Sequence, residues 1–132
     1  GVTFASTSQR ENEMQDTVST HDHIRATAVS GTEVFNVDGE NVGKIEDVML
    51  SKTTGRAVYA ILSFGGFLGI GEKYHPLPWQ SLSFSDDRGG YVISVSREQL
   101  EGAPNFERDA EPNWNDPEFG GALSRYYGYP ML

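Results

Sequence analysis

The sequence predicts an all-β domain: a small six-stranded closed barrel with a short C-terminal helix and extended tails. Three observations predict it. Six short apolar runs fall within residues 30–103, too short for helices and spaced as strands. Glycine-, aspartate- and asparagine-bearing turns separate them. One run is apolar on both faces, which requires cover on both sides. A closed barrel accommodates six such strands without leaving exposed edges.

Thr32–Val37 is the first strand candidate, and Asp38-Gly39 supplies the positive φ of a two-residue hairpin turn. Asn41–Ser51 returns. Its apolar residues Val42, Ile45, Val48 and Leu50 break a strict period of two, so a bulge or bend is expected at Gly43 or at Glu46-Asp47. Thr53-Thr54-Gly55 turns the chain. Arg56–Phe64 follows, with Ala57, Tyr59 and Ile61 on one face and Val58, Ala60, Leu62 and Phe64 on the other. A covering tail or an oligomer interface would satisfy its second face.

Gly65–Gly71 reads as a glycine-rich hairpin loop. Lys73–Trp79 carries Pro76 and Pro78, which lack backbone donors and confine it to an edge or to irregular pairing. Ser81–Ser85 alternates, with Leu82 and Phe84 inward. Asp86–Gly90 is a turn, and Tyr91–Val95 completes the set. Arg97–Glu101 is a helical turn capped by Ser96. Pro117–Tyr127 predicts a short helix, with Asp116 as cap and proline at the first helical position.

Three segments result: a flexible N-terminal arm over 1–29, the barrel over 30–103, and an acidic aromatic tail over 104–132. Disordered chains are poor in aromatic residues. The tail is not, so it is expected to pack on the barrel or on a partner through Trp114, Phe119, Tyr126, Tyr127 and Tyr129. Phe67, at the tip of the glycine-rich loop, joins them as a candidate partner-binding residue.

The net charge is −9, and all three segments are acidic. Nucleic acids and anionic lipids are bound through Lys and Arg, so neither partner is expected. Cysteine is absent, which excludes disulfides and thiolate chemistry. No apolar run approaches the ~20 residues that span a bilayer, so membrane insertion is not expected. A cytoplasmic location is expected, or an exported one if an N-terminal signal has been removed ahead of Gly1.

Chemistry-bearing residues are few. Gly66 and Gly71 have the spacing of a phosphate loop, but Glu72 stands where lysine is required. His21-Asp22-His23 offers at most three metal ligands where a structural site uses four. Glu46 and Asp47, adjacent on a strand, point to opposite faces unless a bulge intervenes. Asp47 shares the register of Ile45 and is expected to lean inward, and if buried to accept hydrogen bonds from turn amides or pair with Lys44 or Arg56. His75 is the histidine of the barrel. It lacks an evident nucleophile or orienting group, and partial exposure is expected. No catalytic residue, cofactor or metal is assigned.

The ordered series Gly43-Lys44-Ile45-Glu46-Asp47-Val48, Thr54-Gly55, Val58 through Gly69, Lys73 and Pro76-Leu77-Pro78-Trp79 resembles the PRC-barrel domain. That family includes the cytoplasmic barrel of the photosynthetic reaction-centre H subunit and the C-terminal domain of the ribosome-maturation factor RimM. The Trp-Asn-Asp-Pro and Tyr-Tyr-Gly-Tyr-Pro elements resemble the tails of stand-alone bacterial members. The resemblance implies a six-stranded docking or assembly module without catalytic residues, with Ile45, Val48, Val58, Leu62 and Trp79 in the core. The expected function is therefore a non-catalytic protein-binding module that self-associates as a homodimer. Two other readings are a ribosome- or RNA-associated factor, by analogy, and an enzyme using His75.

Overall fold

A computed structural model describes residues 22–64 and 73–130. A short helix α1, Ala26–Val29, leads into β1, Glu33–Asn36, and the long β2, Asn41–Leu50. β3 spans Ala57–Phe64 and β4 spans Lys73–Pro78. A 3-10 turn over Trp79–Ser81 leads to β5, Ser83–Ser85, and β6, Gly90–Ile93. Helices α2, Arg97–Glu101, and α3, Pro117–Tyr127, complete the order.

The strands form one six-stranded sheet in the order β4-β3-β2-β1-β6-β5. Neighbours pair antiparallel except β1 and β6, which run parallel. Among the described residues no ladder joins β4 to β5, so the expected ring of backbone hydrogen bonds is not closed. The reason lies in β4. Tyr74 exchanges both its backbone bonds with Phe106, outside the sheet. Pro76 and Pro78 have the same parity, so their missing donors fall on that outward edge. The chain then leaves the extended conformation at Trp79. Side chains bridge the gap instead: the Trp79 and Tyr91 rings, from opposite ends of the sheet order, lie 5.7 Å apart.

One apolar cluster fills this inner side, with Val34, Val42, Ile45, Ala60, Leu62 and Leu77 among its members. Val29 belongs to it too, so the core takes in the last residue of the segment expected as an N-terminal arm. Of the residues expected in the core, Ile45 and Leu62 are fully buried, while Val48 and Trp79 pack partly buried against the same cluster. Val58 packs on the opposite side of the sheet. Phe84 was expected inward but is 46% exposed on β5, a three-residue strand at the edge of the sheet. Its ring still meets that of Tyr91 edge-on.

Local chemistry explains the turns. The β1–β2 turn is longer than the two residues expected. The buried side chain of Asn36 accepts from the amides of Asp38 and Glu40, fixing a wider loop with Gly39 at φ +85°. Ser96 and Gln99 form a reciprocal capping box on α2. Asp116 caps α3 through the amide of Glu118, and Gly128 ends it in the left-handed conformation.

Gly43 is the tightest point of the sheet. Its φ is +143°, and an added Cβ would lie 2.1 Å from the carbonyl oxygen of Ser63 on β3. Gly43→Ala is expected to cost at least about 2 kcal/mol, from backbone strain plus forced separation of β2 and β3. Urea unfolding should show this as a lowered midpoint with an unchanged slope.

Candidate functional site

The outer face of the sheet carries the second apolar layer. Alternation along β3 sends Ala60, Leu62 and Phe64 to the inner cluster and Tyr59 and Ile61 outward. Outward also points Tyr74 of β4, register partner of Ser63. The C-terminal segment lies on this face. Phe106 is bridged to Tyr74 through its backbone, and the two rings stand 5.7 Å apart. Trp114 packs against Tyr59 at 5.9 Å and edge-on against Phe106 and Phe119, each at 5.8 Å. The tail therefore covers its own sheet.

Helix α3 docks through Phe119, Leu123 and Tyr127, spaced by four and hence on one stripe. Leu123 is fully buried and anchors the contact, although nothing aromatic had marked it. The four-residue spacing was the available signal. Gly120 is also buried on this side. The sequence-predicted residues thus divide. Trp114, Phe119 and Tyr127 converge on the sheet. Tyr126 points away, 42% exposed, and its hydroxyl donates to the carbonyl of Gln99 on α2. Tyr129 is half-buried beside Pro78 and Leu123 at a cavity of about 20 Å³, and its carbonyl accepts from Ser124 Oγ. Phe67 lies outside the described residues, as do the glycine-rich loop and His21.

Tyr127 carries a buried hydroxyl with no hydrogen-bond partner among the described residues. Burial, with a smaller contribution from Tyr126, raises its pKa well above the usual phenol value. Lys73 at the edge of β4 pairs with Glu107 of the tail at 2.9 Å, which holds the Glu107 carboxyl below its ordinary value. Both partners of this pair are solvent-exposed, and it tethers the segment weakly.

A groove of about 230 Å³ opens between the tail and β2. Its walls include Ile61, Tyr74, Phe106 and Trp114, and its rim carries Glu46, Asp47 and Glu111. The β2–β3 register shifts between Ile45 and Asp47, where a bulge had been anticipated. The bulge brings both Glu46 and Asp47 to the groove, whereas regular alternation would separate them. The expectation that Asp47 leans inward is corrected: it is exposed, and its carboxylate accepts from the amide of Val48.

His75 also departs from expectation. It was expected to be partly exposed, but it is 1% exposed on the inner face of β4, opposite Leu62 and edge-on to Phe64 at 5.3 Å. The both-sided burial of β4 explains the difference, since alternation over Tyr74–Pro78 alone gave no sign that both faces would be covered. Its Nδ1 has no hydrogen-bond partner among the described residues. Desolvation first, and the nearby charge of Lys73 second, lower its pKa to about 4. Such a group packs as a neutral ring.

A family model for the PRC-barrel domain matches residues 21–100. The chain belongs to the PRC-barrel family. The chain is also similar to a protein of Deinococcus radiodurans described only as uncharacterized, at 25% identity over 79 residues. That similarity covers 60% of this chain and 28% of the Deinococcus protein, so the chain spans under a third of its relative's length. PRC-barrel domains are generally non-enzymatic modules. The match ends near α2, so the docked aromatic segment lies beyond the part that defines the family. Among the described residues, no helix is long and apolar enough to cross a membrane.

His75 should make stability depend on pH. Its pKa is about 4 when folded and near 6.5 in the unfolded chain. Above pH 6.5 both states are neutral and this group contributes no slope. Between 6.5 and about 4 the unfolded chain alone takes up the proton, so stability falls as pH falls, by at most about 1.4 kcal/mol per unit. Below about 4 the slope from this group ends. Denaturant unfolding of the native protein and of His75→Phe across pH 4–7 should show this slope in the former and its loss in the latter.

Proposed function

We propose that this PRC-barrel protein is a non-catalytic protein-binding module, assembling through the outer face of β3 and β4 together with its C-terminal segment. One observation carries the reading. The sheet presents a second apolar face, and an aromatic amphipathic segment of the same chain is seated on it. Trp114 and Phe119 are the aromatic anchors that protein interfaces favour. Self-association is the form this takes. The segment joins the sheet domain through residues 104–116, which hold no helix or strand longer than one bridge, and exchange between two copies would reuse every contact it makes within one.

The other two readings lose their supporting features. An enzyme using His75 needs a partner group and an approach for substrate, and the ring is buried against Phe64. An RNA-associated role needs clustered cations. Lys44 and Lys73 flank one end of β3, while Lys52 and Arg56 sit at the other, about 20 Å away. Lys73 is already paired with Glu107.

Light scattering over a concentration series tests the proposal. The intact chain is expected to show a dimer fraction that grows with concentration. A chain ending at Pro104 should lose that dimer and unfold at lower denaturant, because Tyr59, Ile61 and Tyr74 lose their cover. A monomer in both cases with unchanged stability would overturn the reading.

A further inference from the structure

A groove of about 230 Å³ lies between the β2 bulge and the C-terminal segment. We propose that it is the recognition site for an arginine side chain on a partner polypeptide. This rests on the protein-binding reading above and names the chemistry of the partner.

Three features converge. The floor is aromatic: Tyr74 is buried, with Phe106 and Trp114 beside it. Indole and phenol faces attract cations, and a guanidinium stacks on them better than an ammonium does. The rim is anionic. Glu46 and Asp47 stand together because of the bulge, both exposed, and neither makes an ion pair among the described residues. Glu111 faces them from the tail. One of its oxygens accepts from the indole of Trp114 at 2.8 Å and so fixes the ring that forms the wall. Finally, the site already attracts this chemistry: Arg108 of the tail lies over the Tyr74 ring at 5.4 Å from its centre. A planar guanidinium on an apolar stem matches an aromatic floor bordered by paired carboxylates.

For the occupant of the groove, whose rim is acidic, charge favours a basic segment of a different protein over a surface side chain of a second copy, since the chain carries −9 overall. The volume of about 230 Å³ suits one extended side chain and not a folded element.

Titration of the full chain with a blocked Ala-Arg-Ala peptide, followed by amide and indole NMR signals, tests the assignment. The indole signal of Trp114, identified by its absence in Trp114→Phe, and the amides of Glu46 and Asp47 should shift saturably. The peptide with citrulline, a neutral isostere, should bind at least about fivefold more weakly, as should the Glu46→Gln/Asp47→Asn protein. Glu46→Gln alone, at an exposed position, should weaken binding in the same direction if the double variant folds poorly. Equal binding of the citrulline peptide, tighter binding of the lysine peptide, or shifts unaffected by Glu46→Gln would overturn the assignment. So would movement of these signals with protein concentration alone, which would give the groove to a second copy. Dimers in light scattering with no response to the arginine peptide would sink the groove and leave the module intact. A response without dimers would remove self-association and keep the groove.

Discussion

The two-sided burial of β3 is the constraint on which the rest of the structure depends. Residues 60–64 are all buried, although the strand has a layer on each face and both layers must be filled. Leaving Ile61 and Tyr59 in water would forfeit roughly 1.5–3 kcal/mol for each large side chain. The inner face is satisfied by the sheet curling on itself, with Leu62, Ala60 and Phe64 meeting Ile45, Leu77 and Ile93. The outer face is satisfied by polypeptide that arrives some forty residues later. The C-terminal segment is thus part of the fold's hydrophobic accounting, and its departure would leave an adhesive surface.

The edge of β4 shows how the two layers are kept in order. An uncovered strand edge invites pairing with another chain. Here Pro76 and Pro78 remove donors from the outward side, and Phe106 takes the bonds of Tyr74, which has the same parity. The prolines explain both the open ring of hydrogen bonds and the place where the tail begins to dock. The bulge on β2 has a similar double effect. It absorbs an extra residue in the ladder with β3, and it sets two carboxylates beside an aromatic wall that the tail supplies. The groove therefore exists only when the family's sheet and the added segment are both present.

His75 and Tyr127 mark where this packing has a cost. Each buries a polar atom without a partner among the described residues. For His75 the consequence is a ring kept neutral at acidities where the unfolded chain would be charged.

Much of this was determined by the sequence itself. Turn residues, caps and the double apolar face of Arg56–Phe64 are local signals, and the strands, the capping of α2 and α3, and the need for an outer cover follow from them. A bulge at Gly43 or at Glu46-Asp47 was visible as a broken period, because register errors leave a trace in the pattern of apolar residues, and the structure places one at the second. Other features had no local trace. Whether the tail covers its own sheet, that Leu123 and not an aromatic residue anchors it, that Tyr126 faces α2, and that His75 is sealed against Phe64 all depend on which distant segment arrives where. Alternation tells which residues share a face; it does not tell what lies opposite. Only tertiary packing, which joins residues far apart in the chain, decided those contacts and with them the groove.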